Sequence, residues 1–126
     1  MHPGTASVFI VEDSADVRDA LLDLLRDMDV VIAGTAEDAA TATAGILRCR
    51  PDFVILDFQL IDSNAVDVLK AVHGTAPEVA FIVLTNHATT AYRNLCMKHG
   101  ARWFLEKARD FSKVKDIIAH LDAPAA

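Results

Sequence analysis

The chain has 126 residues, 52% of them apolar, and a formal net charge of −6. That length makes one domain burying about two-thirds of its unfolded surface, and the apolar share excludes a disordered chain. The acidic balance argues against nucleic acid as a direct partner, because phosphate binding needs a basic patch.

No apolar run approaches the ~20 residues that span a bilayer, so no membrane insertion is expected. Met1 to Ser7 lacks the charged start and apolar core of a signal peptide, which makes a soluble cytoplasmic protein the expectation. Cys49 and Cys96 have no Cys-x-x-Cys or His-rich company and read as reduced, helix-borne small hydrophobes.

In chain order, Ser7 to Glu12 reads as a first strand, with Asp13 at its carboxyl end. Val17, Ala20, Leu21, Leu24, Leu25 and Met28 then form one apolar helical stripe, which Ser14 caps and Asp16 favours in the first turn. Val30 to Ala33 is a second strand ended by Gly34. An Ala-rich helix from about Glu37 to Arg48 follows, closed off by Pro51. Phe53 to Asp57 is a third strand, too apolar to have a solvated face, as in parallel sheets covered on both sides.

After a loop, a third helix spans about Asn64 to His73, with Val66, Leu69 and Val72 inward. Val79 to Leu84 is a buried strand ended by Thr85. Ala88, Ala91, Tyr92, Leu95 and Cys96 give a fourth helix stripe, stopped by Gly100. Ala101 to Glu106 is the fifth strand, ended by Lys107. Phe111, Val114, Ile117, Ile118 and Leu121 form the last helix, before an Ala/Pro tail expected to fray. Five strands alternating with five helices predict an α/β fold with a doubly wound parallel sheet, in a single domain (1–126, core about 7–121).

In such sheets the ligand sits beyond the carboxyl ends of the strands. The first strand delivers Glu12 and Asp13 there, the third Asp57, the fourth Thr85 and the fifth Lys107. Three carboxylates at one edge repel each other, and a hard divalent cation such as Mg²⁺ relieves that repulsion. Lys107 is a point charge for an anion and Thr85 a donor to it. Carboxylate, metal, Lys and Thr together equip a site for phosphoryl transfer with a carboxylate as nucleophile.

With Phe-Ile-Val-Glu-Asp-Ser (9–14), Val-Ile-Leu-Asp (54–57), Val-Leu-Thr (83–85) and Phe-Leu-Glu-Lys (104–107), the whole chain resembles the receiver domain of two-component response regulators. The resemblance implies the flavodoxin-like strand order 2-1-3-4-5 and Asp57 as acceptor of a phosphoryl group from a sensor kinase phosphohistidine. It implies Mg²⁺ held by Asp13, by Asp57, by Glu12 through water and by the backbone carbonyl of Gln59. Lys107 should pair with Asp57 and then with the phosphoryl group, Thr85 should turn toward a phosphoryl oxygen, and Phe104 should swing inward behind it. Alternation along the strand places Phe104 beside Arg102 and Glu106, on a side expected to be half-exposed.

The sequence departs from the family pattern at four places. Ile61 and Ala65 stand where Pro and Gly are usual after the acceptor Asp. Asn86, followed by His87, stands where a small residue is usual, and both could crowd or hydrogen-bond the phosphoryl pocket. Ala108 replaces the Pro that usually follows the Lys through a cis bond, so a local rearrangement at Lys107-Ala108 is expected.

No output domain is expected after the fifth helix, and for a full gene product the output would then be a contact. Phosphorylation would switch the face of helix four, strand five and helix five, near Tyr92, Arg93, Arg102, Trp103 and Phe104, for a protein partner. A kinase or phosphotransfer protein is the expected donor, and the resemblance also brings in a phosphorylation-dependent homodimer. No enzyme activity is expected beyond self-catalysed phosphorylation and dephosphorylation. The competing reading is a receiver-like interaction module that needs no phosphorylation. A dehalogenase-type phosphohydrolase would want an Asp at position 59, which is Gln, and a flavodoxin-like carrier would want a Gly-rich first loop.

Overall fold

A computed structural model describes residues 5–122; the Ala/Pro tail and the first four residues lie outside them. Five parallel strands, β1 (Ala6–Val11), β2 (Val30–Ala36), β3 (Phe53–Leu56), β4 (Ala80–Thr85) and β5 (Ala101–Glu106), form one sheet in the order 2-1-3-4-5. They alternate with α1 (Ala15–Leu25), α2 (Ala39–Cys49), α3 (Ala65–His73), α4 (Thr90–Lys98) and α5 (Lys113–Asp122). This is the doubly wound, flavodoxin-like arrangement expected from the sequence, with a sixth, short helical turn at Lys107–Asp110 added between β5 and α5.

Successive residues of the buried strands feed two separate cores, as a period of two requires. Phe9, Val11, Val54, Leu56, Phe81 and Val83 pack on the side of α2, α3 and α4. Val8, Ile10, Phe53, Ile55, Ile82 and Leu84 pack on the side of α1 and α5, against Leu21, Leu25, Val114 and Ile118. The helix starts follow local chemistry. Ser14 accepts from the Val17 N–H, Asp38 from the Thr41 N–H, and Asn64 forms a reciprocal capping box with Asp67. Arg50, in the left-handed region at φ 48°, ends α2 directly before Pro51.

Several expectations need correction. Gly34 does not end β2: the strand runs on to Ala36, and a Cβ at Gly34 would lie 2.7 Å from Phe9 Cε2. The glycine is there to admit the Phe9 ring, and the pairing slips beside it, Val8 opposite Ile32 and Phe9 opposite Gly34. In α3 the buried positions are Ala65, Val68, Leu69 and Val72, with Val66 only partly covered. Of the stripe predicted for α4, only Tyr92 and Cys96 meet the core. Ala88 precedes the helix and, like Ala91 and Leu95, is exposed, because α4 overlies the margin of the sheet rather than its centre. Cys49 is exposed at the end of α2, while Cys96 is buried, and both are free thiols.

Phe104 is not half-exposed. It is buried in the α2–α3–α4 core with Val83 and Cys96. The pairing slips between Phe81 and Ile82, which lie opposite Ala101 and Trp103, leaving Arg102 as an extra residue. That bulge breaks the alternation, so Ala101 and Phe104 share a face although three residues apart.

Candidate functional site

The register of the sheet assembles the site. Val11 lies opposite Leu56, so the next residues of β1 and β3, Glu12 and Asp57, emerge side by side at the carboxyl edge. The Asp57 N–H donates to the Val11 carbonyl (3.0 Å) and the Glu12 N–H to the Ala36 carbonyl (2.9 Å), which fixes both backbones. Thr85 pairs with Glu106, and Lys107 follows immediately. The structure therefore brings Glu12, Asp13, Asp57, Thr85 and Lys107 to one end of the sheet. Glu12, Asp57 and Thr85 are buried and Asp13 is exposed.

Lys107 Nζ bridges two of the acids, 2.8 Å from Glu12 Oε1 and 3.4 Å from Asp57 Oδ2. The other Glu12 oxygen, Oε2, accepts from the Ser14 N–H at 3.1 Å. Oxygens of Glu12, Asp13 and Asp57 all lie within 4.8 Å of one another. Three carboxylates thus face one ammonium, and the charge is not balanced. Burial raises the Glu12 carboxyl to about 6, helped by neighbouring Asp57 and opposed by the Lys107 hydrogen bond. Asp57 is also raised, first by burial and then by Asp13, against the pull of Lys107. An all-oxygen donor set with surplus negative charge fits a hard divalent cation.

A raised carboxyl pKa has a definite consequence for stability. Between about pH 4.5 and 6 the folded protein holds more proton on Glu12 than the unfolded chain, so stability falls as pH rises through that window. Denaturant unfolding in chelator is expected to show a loss of up to about 2 kcal/mol between pH 4.5 and 7 that Glu12→Gln removes.

Asn86 and His87 are exposed, and the His87 N–H donates to Thr85 Oγ1 at 3.1 Å. That bond leaves the Thr85 hydroxyl proton free to be donated elsewhere. No cis peptide bond occurs among the described residues, and Lys107 enters a helical turn directly. Gln59 lies in a two-residue ribbon with Asn64, and Leu60 with Ser63. Ala65 starts α3 with its N–H on the Phe58 carbonyl. The Ile61 N–H, which a proline would lack, donates to the Glu37 carbonyl at 3.2 Å.

Arg18 was not singled out from the sequence. Its guanidinium donates to the Glu12 carbonyl (2.8 Å) and pairs with Glu37 (3.0 Å), tying the loop after β1 to the start of α2. A cation one turn into α1, behind an acidic pair, was the only signal for it.

The family described as response regulator receiver domain matches residues 8–119. The chain belongs to that family. The Vibrio cholerae regulatory protein LuxO is 34% identical over 108 residues, covering 84% of this chain and 23% of the relative. The chain therefore spans about a quarter of that relative's length. Among solved structures, the CheX-CheY-BeF3-Mg²⁺ complex from Borrelia burgdorferi superposes with a TM-score of 0.84 at 21% identity, covering 92% of this chain and 88% of that one. The response regulator domain of Thermotoga maritima CheB gives 0.80 at 21% identity, covering 94% and 93%. At these identities the structures share the receiver fold. Receiver domains bind Mg²⁺ at an acidic pocket, and this receiver's acidic cluster is Glu12, Asp13 and Asp57. No helix among the described residues is long and apolar enough to cross a membrane.

Proposed function

We propose that this receiver accepts a phosphoryl group on Asp57 from the phosphohistidine of a sensor kinase or phosphotransfer protein. The observation that carries the reading is Lys107 Nζ, set between Glu12 and Asp57 at the mouth of a three-carboxylate cluster. In the transfer, the bond from an Asp57 carboxylate oxygen to phosphorus forms as the nitrogen–phosphorus bond of the donor breaks. The electron pair of that bond returns to the imidazole nitrogen. Lys107 releases Asp57 and follows the charge onto the phosphoryl oxygens, while keeping its shorter contact with Glu12. Thr85, held by the His87 N–H, donates its hydroxyl proton to a phosphoryl oxygen. Glu12, Asp13, Asp57 and the Gln59 carbonyl would hold Mg²⁺, which when bound supplies positive charge for the equatorial phosphoryl oxygens.

A phosphoryl group adds roughly −1.5 to −2 charges and three strong acceptors. Thr85 gains a partner only in that state, so the modification selects one arrangement of the β4–α4 loop over another. Phe104 is already seated in the core, so the response falls on Thr85, the loop after it and α4. The surface offered to a protein partner, or to a second copy of the chain, is that of α4, β5 and α5. The competing module that works without phosphorylation has no use for a Lys poised on two acids. The receiver turns over no separate substrate.

Beryllofluoride with Mg²⁺, followed by fluorescence of Trp103, the single tryptophan, tests this reading. Saturable quenching that needs both components and is lost in Asp57→Ala is expected. Thr85→Ala should still bind the mimic but with a smaller spectral change. Binding in Asp57→Ala equal to the native protein would overturn the assignment.

A further inference from the structure

Among the described residues, Asp110 is the one buried charged side chain outside the carboxylate cluster. It ends the helical turn that begins at Lys107. One oxygen, Oδ2, accepts from the backbone N–H of Glu106 at 3.0 Å, so the side chain reaches back over Lys107 to the last residue of β5. Lys113 Nζ approaches Oδ1 at 3.1 Å, and Arg109 contributes Nε at 3.2 Å and Nη2 at 3.4 Å. Hydrogen bonds from Arg109, then Glu106 and Lys113, hold this carboxyl well below the usual carboxylate range, so the anchor is charged at every working pH.

Across the turn itself the other side-chain tie is the longer, more exposed ion pair of Arg109 with Glu106, at 3.6 Å. Glu106, its N-cap, makes no capping hydrogen bond through its side chain, and β5 is an edge strand with no neighbour beyond it among the described residues. Ala108 imposes no restriction on φ such as a proline would. A lysine ammonium on a four-carbon stem is a mobile point charge, yet here it contacts Glu12 and Asp57 together with only a tenth of its side chain exposed. The Asp110–Glu106 bond closes the backbone beneath it from the helical side, where the sheet pairing of Glu106 with Thr85 does not reach.

We propose that Asp110 is a positioning residue for Lys107: by closing the turn over it, Asp110 holds the ammonium between Glu12 and Asp57. The inference rests on the phosphoacceptor reading of Asp57, and its test includes an arm that does not need phosphoryl transfer. Lys107 competes with a metal for Glu12 and Asp57 but assists the phosphoryl group. Loosening it should therefore move the two properties in opposite directions, whereas general damage to the fold would weaken both.

The test is a cycle of native protein, Asp110→Ala, Lys107→Ala and the double variant, with Asp110→Asn alongside. Phosphoryl uptake from acetyl phosphate and the Kd for Mg²⁺ alone, read from Trp103, are measured on each. Asp110→Ala is expected to slow uptake about tenfold and tighten Mg²⁺ about threefold, and to do neither when Lys107 is already Ala. Asp110→Asn, which keeps an acceptor for the Glu106 N–H, should recover most of the uptake. Asp110→Leu, which fills the site without offering an acceptor, carries the cycle if the Ala variant does not fold. Weakening of both properties, equal effects in the Lys107→Ala background, or no effect would overturn the proposal. If the native protein takes up no phosphoryl group, the phosphoacceptor reading fails, and the Mg²⁺ arm alone decides the role of Asp110.

Discussion

Lys107→Ala is expected to slow phosphoryl uptake at Asp57 by about a hundredfold or more, the usual effect of removing one preorganised donor from a developing anion. The same change leaves Glu12 and Asp57 buried with no counter-charge among the contacts they now make. Breaking a buried pair from one side costs about 3–5 kcal/mol, and proton uptake by the raised Glu12 carboxyl places this case toward the lower end. The loss should be larger at pH 8 than at pH 5, because protonation of the raised Glu12 carboxyl relieves it at the lower pH. Mg²⁺ should restore stability without restoring the rate, because it replaces the missing charge but not the ammonium that follows the phosphoryl group. Urea unfolding at both pH values, with and without Mg²⁺, checks the stability arm. An Ala variant as stable at pH 8 as the native protein would contradict the electrostatic account of the site.

The second large effect is expected in the core beneath the site. Phe9 lies between two glycines: a Cβ at Gly34 would lie 2.7 Å from its ring, and one at Gly45 2.8 Å. β2 and α2 therefore approach β1 by omitting side chains where the ring lies. Phe9→Ala should cost about 3–5 kcal/mol, from lost burial and from a cavity that two glycine backbones cannot fill. Gly45→Ala should destabilise despite the better helix propensity of Ala, because overpacking costs about 1–3 kcal/mol and the propensity gain is about 1 kcal/mol. In Phe9→Leu the added methyl at position 45 should cost less than it does beside the ring, and equal costs in both backgrounds would show that the ring does not set the glycine requirement.

The strand ends were readable in the sequence because a buried parallel strand announces itself by composition, and its carboxyl end is where an α/β sheet places chemistry. Glu12, Asp57, Thr85 and Lys107 each follow or end such a run, and the register brings them together. Phe104 was misplaced because alternation carries no sign of the bulge at Arg102, which two strands must be paired to reveal. Gly34 read as a stop because glycine usually punctuates; its reason lies in Phe9, distant in sequence. The α4 stripe failed because helical periodicity cannot tell a helix over the sheet centre from one at its margin, where Tyr92 and Cys96 alone reach the core. Asp110 carried no motif, since its partners are a backbone N–H and two cations that meet only once the chain turns after β5.

Intact mass spectrometry after incubation with Mg²⁺ and acetyl phosphate, followed by location of the modified peptide, tests the central assignment most directly. A gain of one phosphoryl group, labile to hydroxylamine, located at Asp57 and absent both in Asp57→Asn and in chelator, is the result expected. A folded native protein that gains no phosphoryl group, or one that gains it equally in Asp57→Asn, would contradict it.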